Sequence, residues 1–270
     1  MQGRLLPKVG ERIQSFPGKN WHTEFKIAED LGFELIELTI ETSSLNIHPI
    51  MSVEGQKNIR ELSKEHNLPV EGICCDVFME QPLIEKDGNK LEKRLSILKK
   101  LIDAASMINS NMIELPMLDK NSLNIKDGKE IFNSVLKEVL PLAENLKINI
   151  LLEADMAPTE LYKYVSRFDN PYLGINYDCG NSTWFGFSVE REIPIYHKYI
   201  KNVHIKDCTR RDYSVPLGSG ETDFDRIFKL LRKYNYQGNF ILQAARQEDD
   251  IKAAREYLKY TYSLKKKYLN

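Results

Sequence analysis

No run of apolar residues in this chain approaches the roughly 18 that would span a bilayer. The N-terminus, Met1-Gln2-Gly3-Arg4-Leu5, has no basic stretch followed by an apolar one. Together these absences predict a protein that is neither secreted by a signal peptide nor membrane-spanning. Charge of one sign is also missing: 38 Lys and Arg stand against 39 Asp and Glu, a net charge of −1. No global field would therefore hold the chain on nucleic acid or on an anionic membrane, which leaves a small molecule as the expected partner and allows a homo-oligomer. Cysteine is scarce, with Cys74, Cys75, Cys179 and Cys208 and no C-x-x-C pair. That pattern reads as reduced thiols in a cytoplasm. Histidine is limited to His22, His48, His66, His197 and His204. A multi-metal, histidine-rich centre such as that of an abasic-site endonuclease on a barrel is disfavoured on that ground, since only His204 falls at an expected strand end.

What is present is a repeated strand-then-helix pattern in a chain of 270 residues, 42% hydrophobic and 29% charged. Short apolar runs at 3–6, 34–38, 70–75, 112–115, 148–153, 173–177, 203–206 and 240–243 predict eight strands. Apolar spacings of three and four predict helices at 20–31, 53–65, 90–107, 128–145, 158–167, 189–198, 223–234 and 251–266. Pro158 suits a first helical turn, and Gly32, Gly174 and Gly238 fall at helix-to-strand returns where a positive φ is often required. An open doubly wound sheet usually carries a glycine-rich phosphate fingerprint after its first strand, whereas this chain reads Arg4-Leu5-Leu6-Pro7-Lys8. The expected fold is therefore an α/β protein, a single-domain (β/α)8 TIM barrel over 1–270, with its active site at the C-terminal ends of the strands. Little apolar sequence precedes Gln2, so either strand 1 is short or the chain begins upstream of Met1.

Looking only at strand ends selects few side chains. Glu153 closes the apolar run Ile148-Asn149-Ile150-Leu151-Leu152, Asp178 follows Tyr177, His204 lies in Asn202-Val203-His204-Ile205-Lys206-Asp207, and Gln243 ends Phe240-Ile241-Leu242-Gln243. They are 25, 26 and 39 residues apart, each about one strand-helix-strand step, so four successive strand ends converge. Two carboxylates, an imidazole and an amide oxygen form a hard donor set suited to Mn²⁺, Mg²⁺ or Co²⁺ and tolerable for Zn²⁺. Singly, each residue has an ordinary explanation: a strand-tip carboxylate often caps the next helix, and a strand histidine is often a satisfied core group. Convergence is what favours one divalent metal ion. Lys206, Arg210 and Arg246 sit where a sugar hydroxyl or phosphate would need cations. The Leu217-Gly218-Ser219-Gly220 segment before a helix start offers a second anion cradle or an ordinary glycine turn. Trp21, Phe78, Trp184 and Phe185 could face a sugar or simply pack.

These segments resemble the sugar phosphate isomerase/epimerase family of xylose isomerase-like TIM barrels, which includes ketose 3-epimerases, ribulose-phosphate 3-epimerases, hydroxypyruvate isomerases and inosose dehydratases. The resemblance rests on Met1-Gln2-Gly3-Arg4-Leu5, Gly32-Phe33 through Ile36-Glu37-Leu38, Leu152-Glu153, Tyr177-Asp178-Cys179-Gly180-Asn181, Val203-His204-Ile205-Lys206-Asp207 and the 218–224 loop. It implies that Glu153, Asp178 and His204 bind metal, that Asn181 lies on the substrate side and that Arg210 binds substrate. Gln243 departs from the family, whose epimerases place a second glutamate there as the opposing base. A glutamine ligates through its oxygen but has no useful basicity near neutral pH.

The expected activity is thus metal-dependent isomerisation or epimerisation of a small sugar or sugar phosphate through an enediolate, with Glu153 as base. Glu114, Glu37 and Asp76 are the candidates for a second acid, and Glu37 also for a hydrogen bond to substrate. The alternatives are a metal-dependent dehydratase acting on a cyclic polyol and a non-catalytic sugar-binding barrel.

Overall fold

The computed structural model describes residues 4–10 and 14–269. Seven strands run parallel and pair strictly in chain order: β1 (Ile36–Thr39), β2 (Val70–Cys74), β3 (Met112–Met117), β4 (Asn149–Ala154), β5 (Leu173–Asp178), β6 (Ile200–Ile205) and β7 (Asn239–Leu242). Helices return the chain between them. α1 (Thr23–Leu31) leads into β1, α2 (Val53–Glu65) into β2, α3 (Val77–Glu80) and α4 (Gly88–Met107) into β3, and α5 (Gly128–Leu146) into β4. α6 (Pro158–Ser166) precedes β5, α7 (Cys179–Trp184) and α8 (Val189–Tyr196) precede β6, α9 (Phe224–Lys233) precedes β7, and α10 (Asp250–Tyr268) ends the described chain.

The strands are buried on both faces, as parallel strands under a helical layer must be. Each helix buries one stripe against them; α9 does so with Phe224, Ile227, Phe228, Leu230 and Leu231. The sequence places these elements closely, down to Pro158 in the first turn of α6 and Gly32 at φ +86° after α1. Gly174 and Gly238 have another cause. Neither has positive φ. A Cβ on Gly174 would come within 2.9 Å of the Tyr199 carbonyl, and one on Gly238 within 2.4 Å of the Lys201 carbonyl. Close packing against the start of β6 demands the glycines.

The expected first strand at 3–6 is not seen among the described residues. Gly3 lies outside the described residues, and Arg4–Leu6 carries no strand pairing, so the described ladder has seven strands rather than eight. Side chains hold this segment instead. Leu5 N donates to Glu24 Oε1 of α1 at 3.1 Å, and Arg246, just beyond β7, donates from Nη1 to the Leu6 carbonyl at 3.0 Å. Among the described residues the barrel thus has a seam between β7 and β1 that is bridged by polar side chains and not by a backbone ladder.

Candidate functional site

Inside the barrel, polar side chains fill space that apolar residues usually occupy. On β6, Asn202 donates to Asn176 Oδ1 of β5 at 2.8 Å, and Asn176 donates to Glu153 Oε2 of β4 at 2.6 Å. One layer up, His204 reaches across to β1, with Nε2 3.0 Å from Glu37 Oε1. Its other ring nitrogen lies 3.3 Å from Glu153 Oε2 and 4.0 Å from Asp178 Oδ2. Register explains the meeting: Asp178 and His204 are direct partners on β5 and β6, and Gln243 N donates to the Ile205 carbonyl at 3.1 Å as β7 ends.

Asp178 Oδ2 and His204 Nδ1 are buried here with no hydrogen-bond partner, and so is Gln243 Oε1 just beyond β7. Buried polar atoms are normally satisfied, and oxygen and imidazole donors of this kind are the types that divalent cations take. Glu153, Asp178 and His204 each offer an atom within 4.8 Å of the others. Capping a helix does not use up Asp178. Its Oδ1 caps α7 by accepting from Asn181 N at 2.7 Å, and that bond aims Oδ2 into the cluster. Likewise, Glu37 fixes one face of the His204 ring and leaves Nδ1 for the other.

Above the cluster lies a cavity of about 280 Å³ lined by Arg4, Gln14, Asp76, Glu114, Glu153, Lys206, Tyr213 and Gln243, among others. Burial raises the Asp76 carboxyl to about 6, against hydrogen bonds from Gln14 and Cys74. Burial, then the Glu153 charge, pushes Glu114 well above the usual carboxylate range. Burial opposes the charge on Glu153 as well, but His204, Lys206 and Asn176 prevail and hold it low. For His204 burial disfavours the proton, yet the facing carboxylates, Glu37 foremost, retain it well above the usual imidazole range. A metal ion must displace that proton to bind Nδ1.

A model of xylose isomerase-like TIM barrels matches residues 25–261. The chain belongs to that family. An L-ribulose-5-phosphate 3-epimerase of Salmonella paratyphi A is 23% identical over 255 residues, 90% of each chain. Two solved structures share the fold at low identity. The 3-keto-D-glucoside 4-epimerase of E. coli superposes with a TM-score of 0.74 at 18% identity, over 93% of this chain and 97% of that one. The D-psicose 3-epimerase of Clostridium cellulolyticum H10 gives 0.75 at 16%, over 91% and 93%.

Within this xylose isomerase-like barrel the expected site residues divide into three groups. Glu153, Asp178 and His204 come together, and Gln243 lines the same cavity as Glu153. Lys206 joins them: its Nζ donates to Asn181 Oδ1 at 2.8 Å and sits 3.4 Å above the Tyr213 ring. Asn181 stands behind Glu153, donating to Oε1 at 2.5 Å, so it orients the carboxylate rather than lining the cavity. Glu37 does not line the cavity either and instead braces His204. The other two cations lie elsewhere. Arg210 has an 83% exposed side chain 3.9 Å from Glu221 on the outer surface. Arg246 bonds the Leu6 carbonyl and Asp250, tying the seam.

The 217–220 segment is not an open anion cradle. Asp207 fills it, its carboxylate accepting from Gly218 N and Gly220 N at 2.9 Å and from Thr222 N at 3.2 Å. A Cβ on Gly220 would meet Asp207 Oδ1 at 2.1 Å, so the glycine admits the internal anion. Among the aromatics, Phe78 is fully buried, Trp21 packs edge-on to Phe25, and Phe185 lies 5.7 Å from Phe187. Trp184 supports Tyr213 at 5.5 Å. Sequence reasoning missed Tyr213, Arg4 and Gln14 because none lies at a strand end; only the seam and the β6–α9 loop bring them in.

Proposed function

We propose that this protein is a divalent-metal-dependent isomerase or epimerase of a small sugar or sugar phosphate, with Glu153 as the proton-abstracting base. The observation that carries this reading is the trio of buried, partnerless atoms, Asp178 Oδ2, His204 Nδ1 and Gln243 Oε1, beside Glu153 at the cavity wall. These residues fit a hard cation such as Mn²⁺, Mg²⁺ or Co²⁺. When bound there, such an ion supplies charge stabilisation to a carbonyl and its neighbouring hydroxyl. The named activities of the relatives, all sugar epimerisations, support the same reaction class.

The chain's own groups then divide the work. Asn176 and Asn181 each donate to one oxygen of Glu153, so the carboxylate is held in place and kept ionised, ready to accept a carbon-bound proton. Lys206, 4% exposed, places a cation where an enediolate would develop charge. Gln243 offers an oxygen and no base, so the returning proton comes from another acid. Glu114 and Asp76 line the same cavity, and burial raises both towards the protonated form. The four unpaired, buried cysteines support assignment to the cytoplasm.

The test is exchange of carbon-bound hydrogen with deuterated water, followed by NMR over a panel of ketoses and ketose phosphates with Mn²⁺ present. One panel member exchanges in a metal-dependent manner, and Glu153→Gln slows that exchange by about 10³-fold. Full exchange by the Gln variant would remove the mechanism.

A further inference from the structure

The cavity has a cationic corner that proton transfer leaves unused. Arg4 lines it and is only 3% exposed. Its Nη2 donates to Gln14 Oε1 at 2.8 Å, but Nε and Nη1 have no hydrogen-bond partner. Gln14 in turn donates to Asp76 Oδ2 at 2.8 Å, so a neutral amide stands between the guanidinium and the nearest carboxylate in this chain of bonds. The charge is oriented without being neutralised. Burial and then the neighbouring Arg246 lower the Arg4 pKa to about 10, against Asp178, Asp76 and Asp250, which leaves it protonated at neutral pH.

A purely architectural role does not account for this group. The seam uses the Arg4 carbonyl, 3.5 Å from Arg246 Nη1, and any residue supplies a carbonyl. An enclosed guanidinium with idle donors is disfavoured unless something accepts from it, and its N–H geometry matches carboxylates and phosphates. The other cavity cation already has a role, since Lys206, held by Asn181, Asp178 and the Tyr213 ring, serves the enediolate.

We propose that Arg4 is a substrate-binding residue for an anionic substituent, phosphate or carboxylate, so that the protein acts on charged sugars in preference to neutral ones. This rests on the sugar-active reading of the cavity, but its test needs neither metal nor turnover.

Full-length protein treated with chelator is melted at constant ionic strength in chloride, in inorganic phosphate and in glucuronate. One of the two oxyanions raises the melting temperature over chloride by about 2–4 °C. Phosphate alone doing so identifies a sugar phosphate, and glucuronate alone a sugar acid. Arg4→Met abolishes the shift, while Arg210→Ala, a surface arginine, leaves it intact. Should Arg4→Met not fold, Arg4→Lys takes its place and weakens anion binding about tenfold. Equal melting in all three salts, a shift that survives in Arg4→Met, or unchanged affinity in Arg4→Lys would overturn the assignment. If metal-dependent exchange occurs on a neutral ketose without any anion shift, the role of Glu153 stands and that of Arg4 falls.

Discussion

Two stretches of the barrel wall are built differently. From β4 through β6 to the end of β7 the strands are joined by parallel pairing, which sets Asp178 against His204 and leaves Glu153 and Gln243 one residue past the last paired positions of β4 with β5 and of β7 with β6. Between β7 and β1 the described residues form no ladder, and Glu24, Arg246 and the carbonyls of 4–6 close the gap with side-chain bonds. The paired wall therefore fixes chemistry by backbone geometry. The seam fixes it by buried charge, which makes it sensitive to pH and to single substitutions.

The contrast can be sharpened in three further ways beyond the Glu153→Gln loss, which is the largest effect expected. At the seam, burial raises Glu24 to about 7, against the hydrogen bond from Leu5 N. A carboxyl raised in the folded state contributes stability that is complete below its unfolded value of 4.5 and lost as pH climbs through about 7. Glu24→Gln keeps the acceptor for Leu5 N and removes the buried charge. Urea unfolding at pH 8 should show it more stable than the parent by up to about 3 kcal/mol, with the difference vanishing at pH 4. A destabilised variant at pH 8 would mean that the ionised carboxylate holds the seam.

Across the barrel from the paired wall, on β1, Glu37→Gln leaves the ladder intact but loosens the His204 ring, and calorimetry should record a 10- to 100-fold weaker Mn²⁺ affinity, roughly 1.4–2.8 kcal/mol. Unchanged affinity would make Glu37 a bystander. The smallest effect is expected of Arg210→Ala, because an exposed ion pair contributes about 0–1 kcal/mol and this side chain lies away from the cavity. A large rise in KM on the identified substrate would mean that the β6–α9 loop closes over the cavity.

What the sequence made legible follows the same division. Strand tips are readable because an apolar run ending in Glu153, or in Tyr177 followed by Asp178, marks both the element and its functional end, and the period of the β/α repeat makes such tips converge. Cations outside the strands were not readable. Lys206, still in register with His204, reaches the cavity, while Arg210, four residues further on, has left the ladder and points to solvent. Arg246 went to the seam because Arg4 and Leu6, outside any described strand, offer carbonyls to be bonded, which no local pattern announces. Asp207 concealed itself in a similar way: a glycine-rich turn suggests an anion from outside, whereas the occupant is a carboxylate some ten residues upstream.

Central to the proposed function is a divalent cation held by Asp178 Oδ2, His204 Nδ1 and Gln243 Oε1 beside Glu153. Elemental analysis of protein purified without chelator, paired with melting in added Mn²⁺, tests this most directly. The prediction is one divalent ion per chain, stabilisation of about 2.7 kcal/mol at metal a hundredfold above Kd, and loss of both in Asp178→Ala. Protein that carries no stoichiometric metal and melts identically with and without Mn²⁺ would contradict it.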